Sequence, residues 1–270
     1  MFKTRAISGA VLMAIALITF VCGGPILFFT MLVVSLIGMF ELYRVMNVTD
    51  TKYSPLAITG FIGAVVYYFL VYFNKDEFAL IELAFTLIAL MAVYVLTFPR
   101  YKAEQTMAAF FAIFYAAVML SCVVRTRSLD GGKYAVWLIL GSSWGCDTCA
   151  YLIGRAVGKH KMAPVLSPKK TIEGGIGGVA GAALIGAVYA LVLDAFHVFP
   201  EGAPVGEYAL ICGCGGLISM IGDLGASAIK RNHNIKDYGN LIPGHGGILD
   251  RFDSVIFTAP IIYFLARILL

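Results

Sequence analysis

Long apolar runs recur from residue 6 to the C-terminus of this 270-residue chain, and no other feature limits its fold as severely. A helix needs about 20 predominantly apolar residues to cross a hydrocarbon core of about 30 Å. Hydropathy marks nine candidates, at about 6–22, 25–46, 55–73, 78–98, 104–125, 132–157, 174–196, 206–230 and 251–270. Composition agrees, since 60% of residues are hydrophobic and only 13% charged, with a mean hydropathy of +0.87, whereas soluble domains are nearer a quarter charged. The expected fold is all-α: a polytopic integral membrane protein of about nine transmembrane helices, forming one membrane domain over 1–270 with no soluble domain appended.

The first segment, behind Lys3 and Arg5, has the basic start of a signal peptide. Cys22-Gly23-Gly24-Pro25 leads straight into a second apolar run without a convincing cleavage site, so a retained first helix is expected. With the N-terminus in the cytoplasm, fifteen of the twenty Lys and Arg fall on inner connections and five on outer ones, as the positive-inside rule requires. Arg125, Arg127 and Lys133 are exceptions, explained either by snorkelling to outer headgroups or by a helix count off by one nearby. The six cysteines mostly lie inside apolar segments and read as core thiols rather than a disulfide framework. Cys146-x-x-Cys149 lacks the second pair a zinc site would need.

Charge is unevenly spread. In the first half, Glu41 and Glu82 lie near helix ends and read as interfacial, and Tyr67-Tyr68 with Tyr72-Phe73 reads as an aromatic belt. Residues 1–131 are accordingly expected to be scaffold and a homodimer surface, and 132–270 the catalytic half. In the second half, Asp147 and Asp223 fall within apolar runs, where an ionisable residue is expensive and is expected to mark a functional site, with a structural salt bridge across helices the alternative for Asp147. Spacings of four and seven put Asp223, Ser227 and Lys230 on one helix face, with Asp223 about 10 Å deeper than Lys230. Asp250 and Asp253, three apart at the head of the last helix, can share a face. Such carboxylates, with cations above them, suit Mg²⁺ carrying a polyphosphate, because Mg²⁺ takes one or two carboxylates plus phosphate oxygens.

Between Asp147 and Asp223 stands Ser167-Pro168-Lys169-Lys170-Thr171-Ile172-Glu173-Gly174. Pro168 and the double lysine read as a cytoplasmic turn, and Thr171 to Gly174 as the opening of the seventh helix. A helix start beside Ser167, Lys169, Lys170 and Thr171 is an anion site; the alternative is a basic loop that contacts only lipid headgroups. Gly174-Gly175-Ile176-Gly177-Gly178 and Gly181 are followed by no Gly-Lys-Ser/Thr, so they mark close helix packing rather than a phosphate loop.

The densest charge lies in the 27 residues from Ser227 to Asp253. The pattern Ser227-x-Ile229-Lys230-Arg231-x4-Lys236-Asp237-x-Gly239-x2-Ile242-Pro243-x-His245-Gly246-Gly247-Ile248-x-Asp250-Arg251-Phe252-Asp253 resembles the signature of phosphatidate cytidylyltransferases, also called CDP-diacylglycerol synthases. The Ser167 to Gly174 run resembles that family's second motif. The resemblance is strong over the second half and general over the first. It implies an integral membrane enzyme of the bacterial-type inner membrane, dimeric, with a funnel facing the cytoplasm, that moves CMP from CTP to phosphatidic acid. Mg²⁺ is the implied cofactor, with a second, monovalent cation such as K⁺. Asp223 and Asp250 would be the metal ligands, with Asp147 near them. Lys169, Lys170, Lys230, Arg231 and Lys236 would engage the CTP phosphates, with Ser167, Thr171 and Arg251 lining that site. His245 either orients a phosphate or stabilises its turn.

Two rivals follow from the same residues. A CTP-dependent lipid kinase of the dolichol kinase type would leave CDP and a lipid phosphate; an ion-coupled transporter would use the intramembrane carboxylates, but no inverted repeat is seen. The partners expected are CTP, phosphatidic acid and membrane lipids. The net charge of +4 is accounted for by the inner loops, so no nucleic-acid partner is expected.

Overall fold

The computed structural model describes residues 2–49, 54–199, 202–244 and 246–270, with side chains from residue 8 onward. Nine helical segments occur among the described residues: α1 Phe2–Cys22, α2 Gly24–Val45, α3 Pro55–Tyr72, α4 Ala79–Leu96, α5 Ala103–Arg127, α6 Gly132–Val157, α7 Ile172–Ala195, α8 Val205–Asn232 and α9 Leu249–Leu269. Eight of these spans are long and apolar enough to cross a membrane; in α1 only Ser8–Cys22 is apolar helix of described side chains. The chain is thus an all-α multi-pass membrane protein, as its hydropathy predicts. In lipid only a helix or a closed barrel satisfies every backbone polar group.

Local chemistry sets the helix starts. Pro25 occupies the first turn of α2, where its missing N–H costs nothing. Ser54 caps α3 by accepting from Ala57 N at 3.4 Å, with Pro55 behind it. Thr171 caps α7, its Oγ1 accepting from Gly174 N at 3.2 Å. Helices α5 and α6 each contain a π turn, at Ile113–Val118 and Gly141–Gly145. The second turn ends two residues before Asp147 and resets which face that carboxylate presents.

The chain divides into two compact units, one of Met1–Arg125 with Ile235–Arg251, the other of Thr126–Asn234 with Phe252–Leu270. The first unit holds a polar interior that the sequence reading missed. Glu41 is not solvated: it is buried at 4% exposure, and its carboxylate accepts the amides of Ile248 and Leu249, both at 2.9 Å. Glu82 is also buried, bonded to Thr86 Oγ1 at 2.5 Å. Tyr67 and Tyr68 do not form a belt but are buried; Tyr68 Oη shares a 2.7 Å bond with Ser35 Oγ and donates to Met31 O at 3.2 Å. Arg125 needs no outer headgroup. Its guanidinium meets Asp76 at 2.7 Å and Tyr67 Oη at 3.3 Å, so the exception to the charge rule is answered by a carboxylate at the same helix ends.

The second unit is built on close helix approach. A Cβ on Gly178 would meet Cys146 O at 3.0 Å and one on Gly186 would meet Tyr208 O at 2.3 Å. Glycine lets α7 pack against α6 and α8 at backbone distance, where van der Waals contact replaces the absent hydrophobic drive. All six cysteines are free, as the core-thiol reading expects, although Cys22 is exposed. Between α6 and α7 the chain forms a two-stranded antiparallel hairpin, β1 Lys161–Ala163 and β2 Ser167–Thr171, in register Lys161↔Thr171 and Ala163↔Ser167. Pro168, Lys169 and Lys170 therefore lie in a strand rather than the expected turn, which falls at 164–166. Ile172 N donates to His160 O at 2.9 Å, and Glu173 accepts from the amides of Lys159 and His160 at 3.1 and 3.2 Å. These bonds pull the hairpin's entry onto the start of α7 and keep both lysines in the strand.

Candidate active site

In the second unit, carboxylates from three helices converge with one strand lysine. Asp223, about two-thirds of the way along α8, is met at Oδ2 by Lys170 Nζ at 2.5 Å, each side chain 27% exposed. Asp147, at the first turn after the π segment of α6, accepts from Ser254 Oγ of α9 at 3.2 Å and lies within electrostatic reach of both Lys170 and Asp223. Asp253 is 9% exposed; its Oδ1 accepts from Ser254 N at 2.8 Å, and Asp223, Lys230 and Asp147 all act on it electrostatically. Small residues make the convergence possible. A Cβ on Gly222 would meet Asp253 O at 2.7 Å, so α8 and α9 touch next to both acids.

Of the residues expected to bind phosphate here, Thr171 is spent on capping α7. Lys170 reaches Asp223, and Lys230, in the last turn of α8, acts electrostatically on Asp253. Lys169 and Arg231 are exposed and Ser167 is half-buried at the start of β2. Asp253, expected from sequence to share a face with Asp250, joins the cluster, and so does Ser254, which had not been singled out. The signal for Ser254 was its place one turn after Asp250, on a helix whose facing partner could not be read from one dimension.

The first unit holds the remaining expected residues in the 235–251 loop. Asp250 is 7% exposed, and its Oδ2 accepts from Tyr238 N at 2.8 Å and Gly247 N at 2.9 Å. Gly246 passes beside it with φ 87°, and a Cβ there would sit 2.7 Å from the same Oδ2, so only glycine closes this turn. Lys236 and Arg251 line a polar cavity of about 500 Å³ together with Asp237 and Asn240. His245 lies outside the described residues. Asp250 and Asp253, expected to share a face, have different surroundings: loop amides donate to the first, and the Ser254 amide donates to the second beside the like-charged Asp223 and Asp147.

The donor chemistry bears on the implied metal. Among the described residues no three His, Cys, Asp or Glu groups are arranged to close on an ion by themselves. All the acids present are hard oxygen donors, and Lys170 already places a cation on Asp223. That set fits Mg²⁺, which binds through one or two carboxylates and completes its shell with substrate phosphates and water; it does not fit zinc, which wants nitrogen or sulfur cages. Cations beside carboxylates are suited to gathering anionic phosphates and to stabilising charge as it shifts between them.

Comparison with known proteins places the whole chain in a family. The sequence profile described as the cytidylyltransferase family matches residues 3–269. The chain is 32% identical to the phosphatidate cytidylyltransferase of Bacillus subtilis (strain 168) over 275 residues, covering 97% of each chain. It is also 32% identical to the enzyme of that name from Staphylococcus epidermidis over 266 residues, 96% of this chain and 97% of the relative. Its match to the phosphatidate cytidylyltransferase of Synechocystis is 42% identical over 139 residues, 52% of this chain and 45% of the relative. Similarity of this extent runs through both units and both motifs, and the chain belongs to the cytidylyltransferase family.

Proposed function

We propose that this chain is a CTP:phosphatidate cytidylyltransferase, transferring CMP from CTP to phosphatidic acid to give CDP-diacylglycerol and pyrophosphate in phospholipid biosynthesis. The observation that carries this reading is near full-length similarity to relatives bearing that name, together with the Lys170, Asp223, Asp147 and Asp253 cluster in the stretch where the family resemblance is strongest.

In the transfer, a phosphate oxygen of phosphatidic acid attacks the α-phosphorus of CTP. The new P–O bond forms as the bond from the α-phosphorus to the bridging β-oxygen breaks, and pyrophosphate leaves with that electron pair. The nucleophile is already an anion, so no strong base is required. The site must instead offset repulsion between two anionic substrates, chiefly by positioning and charge neutralisation. Lys170 and Lys230, with Lys169, Arg231 and Lys236, are the groups for the phosphates. Mg²⁺ would lower the charge on the triphosphate, with Asp223 and Asp250 as its proposed ligands. Support for Asp223 is its hard oxygen beside a cation, and for Asp250 its rigid mounting on two amides. A monovalent cation such as K⁺, a homodimer, and an inner-membrane location with the site toward the cytoplasm complete the proposal. The charge count of the connecting loops supports that orientation.

The test is purified protein with CTP, Mg²⁺ and phosphatidic acid, with product identification. CDP-diacylglycerol and pyrophosphate are expected, and Asp223→Asn should abolish both. A lipid phosphate formed together with CDP would establish a kinase instead.

A further inference from the structure

We propose that Glu41, on α2 in the half of the chain far from the family motifs, is a positioning residue for the transfer, clamping the motif loop that carries Lys236, Asp250 and Arg251. The inference deepens the cytidylyl-transfer reading and rests on it.

Glu41 divides its carboxylate between two consecutive amides: Oε1 accepts from Ile248 N and Oε2 from Leu249 N, each at 2.9 Å and more than 200 residues away in sequence. Leu249 begins α9, so these are N–H groups that a helix start leaves without backbone partners. A carboxylate there also complements the positive end of the helix dipole. The loop is shaped to the acid. A Cβ on either Gly239 or Gly247 would lie 2.3 Å from Oε1, so the backbone passes on both sides only because those residues are glycine. Arg44, one turn along α2, donates from Nη2 to Tyr238 O at 2.6 Å. Tyr238 N in turn donates to Asp250, as does Gly247 N.

The amides of residues 238, 247, 248 and 249 are thus shared between two buried carboxylates, Asp250 from within the loop and Glu41 from α2. A buried acid in an apolar helix is costly, and an apolar side chain would fill the same space without that cost. What the carboxylate adds is direction, because it fixes the backbone on which Asp250 and Arg251 are mounted. Lys236 and Arg251 line the polar cavity beside this clamp.

The experiment compares wild type with Glu41→Ala, Glu41→Gln and Gly247→Ala in detergent, reading hydrogen exchange over 238–251 and steady-state kinetics with CTP, Mg²⁺ and phosphatidic acid. Glu41→Ala should deprotect 247–250 while leaving the middle of α8 protected, and lower kcat/KM for CTP by about 10- to 100-fold per folded protein, mainly through KM. Glu41→Gln, which keeps one acceptor, should fall between, and Gly247→Ala should reproduce the alanine effect from the loop side. Unchanged protection in Glu41→Ala, or wild-type KM and kcat in its folded fraction, would overturn the proposal. Where the alanine variant does not fold, wild-type kinetics in both other variants would overturn it equally. Lost protection in a chain whose wild type forms no CDP-diacylglycerol would uphold the clamp and overturn the reaction instead.

Discussion

Lys170 Nζ lies 2.5 Å from Asp223 Oδ2, joining a short strand to a membrane helix, with both side chains about one-quarter exposed. A cation already seated on the acid neutralises it at rest and is available to an arriving triphosphate. Lys170→Ala should therefore lower kcat/KM for CTP by about 10²- to 10³-fold, the usual loss when one charge-stabilising donor is removed. Lys170→Arg should recover part of it. Pyrophosphate release under steady-state conditions reads both variants, and equal turnover in wild type and alanine variant would remove Lys170 from the site.

Asp250 offers a separation of structure from chemistry. Asparagine keeps a carbonyl oxygen able to accept from Tyr238 N and Gly247 N, so Asp250→Asn should unfold within about 1.5 kcal/mol of wild type, the span of one ordinary net hydrogen bond. Turnover should nevertheless be abolished, because the charge proposed to hold Mg²⁺ would be gone. Thermal unfolding in detergent and CTP turnover on the same preparation give the two readings. Near-normal turnover in a stable Asp250→Asn protein would assign the residue to loop geometry alone.

Close packing in the second unit can be tested away from the chemistry. On Gly186 a methyl group would stand 2.3 Å from Tyr208 O and 2.9 Å from Cys212 Cβ, whereas on Gly206 it would meet nothing within 4 Å. Gly186→Ala should destabilise by about 1–3 kcal/mol through overpacking. Gly206→Ala should be neutral or stabilising by up to about 1 kcal/mol, since alanine suits a helix better. The melting temperatures of the two variants should move in opposite directions, or only the first should move.

What could be read in one dimension followed from depth and spacing. A run such as 174–196 shows its length, its glycine face and its place in lipid without reference to any other residue, and α7 at Ile172–Ala195 differs from it by two residues or fewer. Asp147 and Asp223 were legible as candidate site residues for the same reason, because a charge inside an apolar run stands out wherever it points. Pro168 to Lys170 were legible as basic but not as a strand. The hairpin depends on the register Lys161↔Thr171 and on Glu173 drawing Lys159 and His160 onto α7, which are pairings rather than propensities.

Glu41 shows where that reading stops. From sequence, an acid one turn from the end of an apolar helix looks solvated, and only the fold brings Ile248 and Leu249 to it. The sequence alone determined the multi-pass helical class and the order of the membrane spans, and it marked the acids and lysines proposed for the chemistry, since hydropathy and charge are properties of each residue. The tertiary structure decided which oxygen meets which donor: Lys170 on Asp223, loop amides on Asp250, helix-start amides on Glu41. A buried polar group is tolerable only with a partner, and a partner two hundred residues away is chosen by packing.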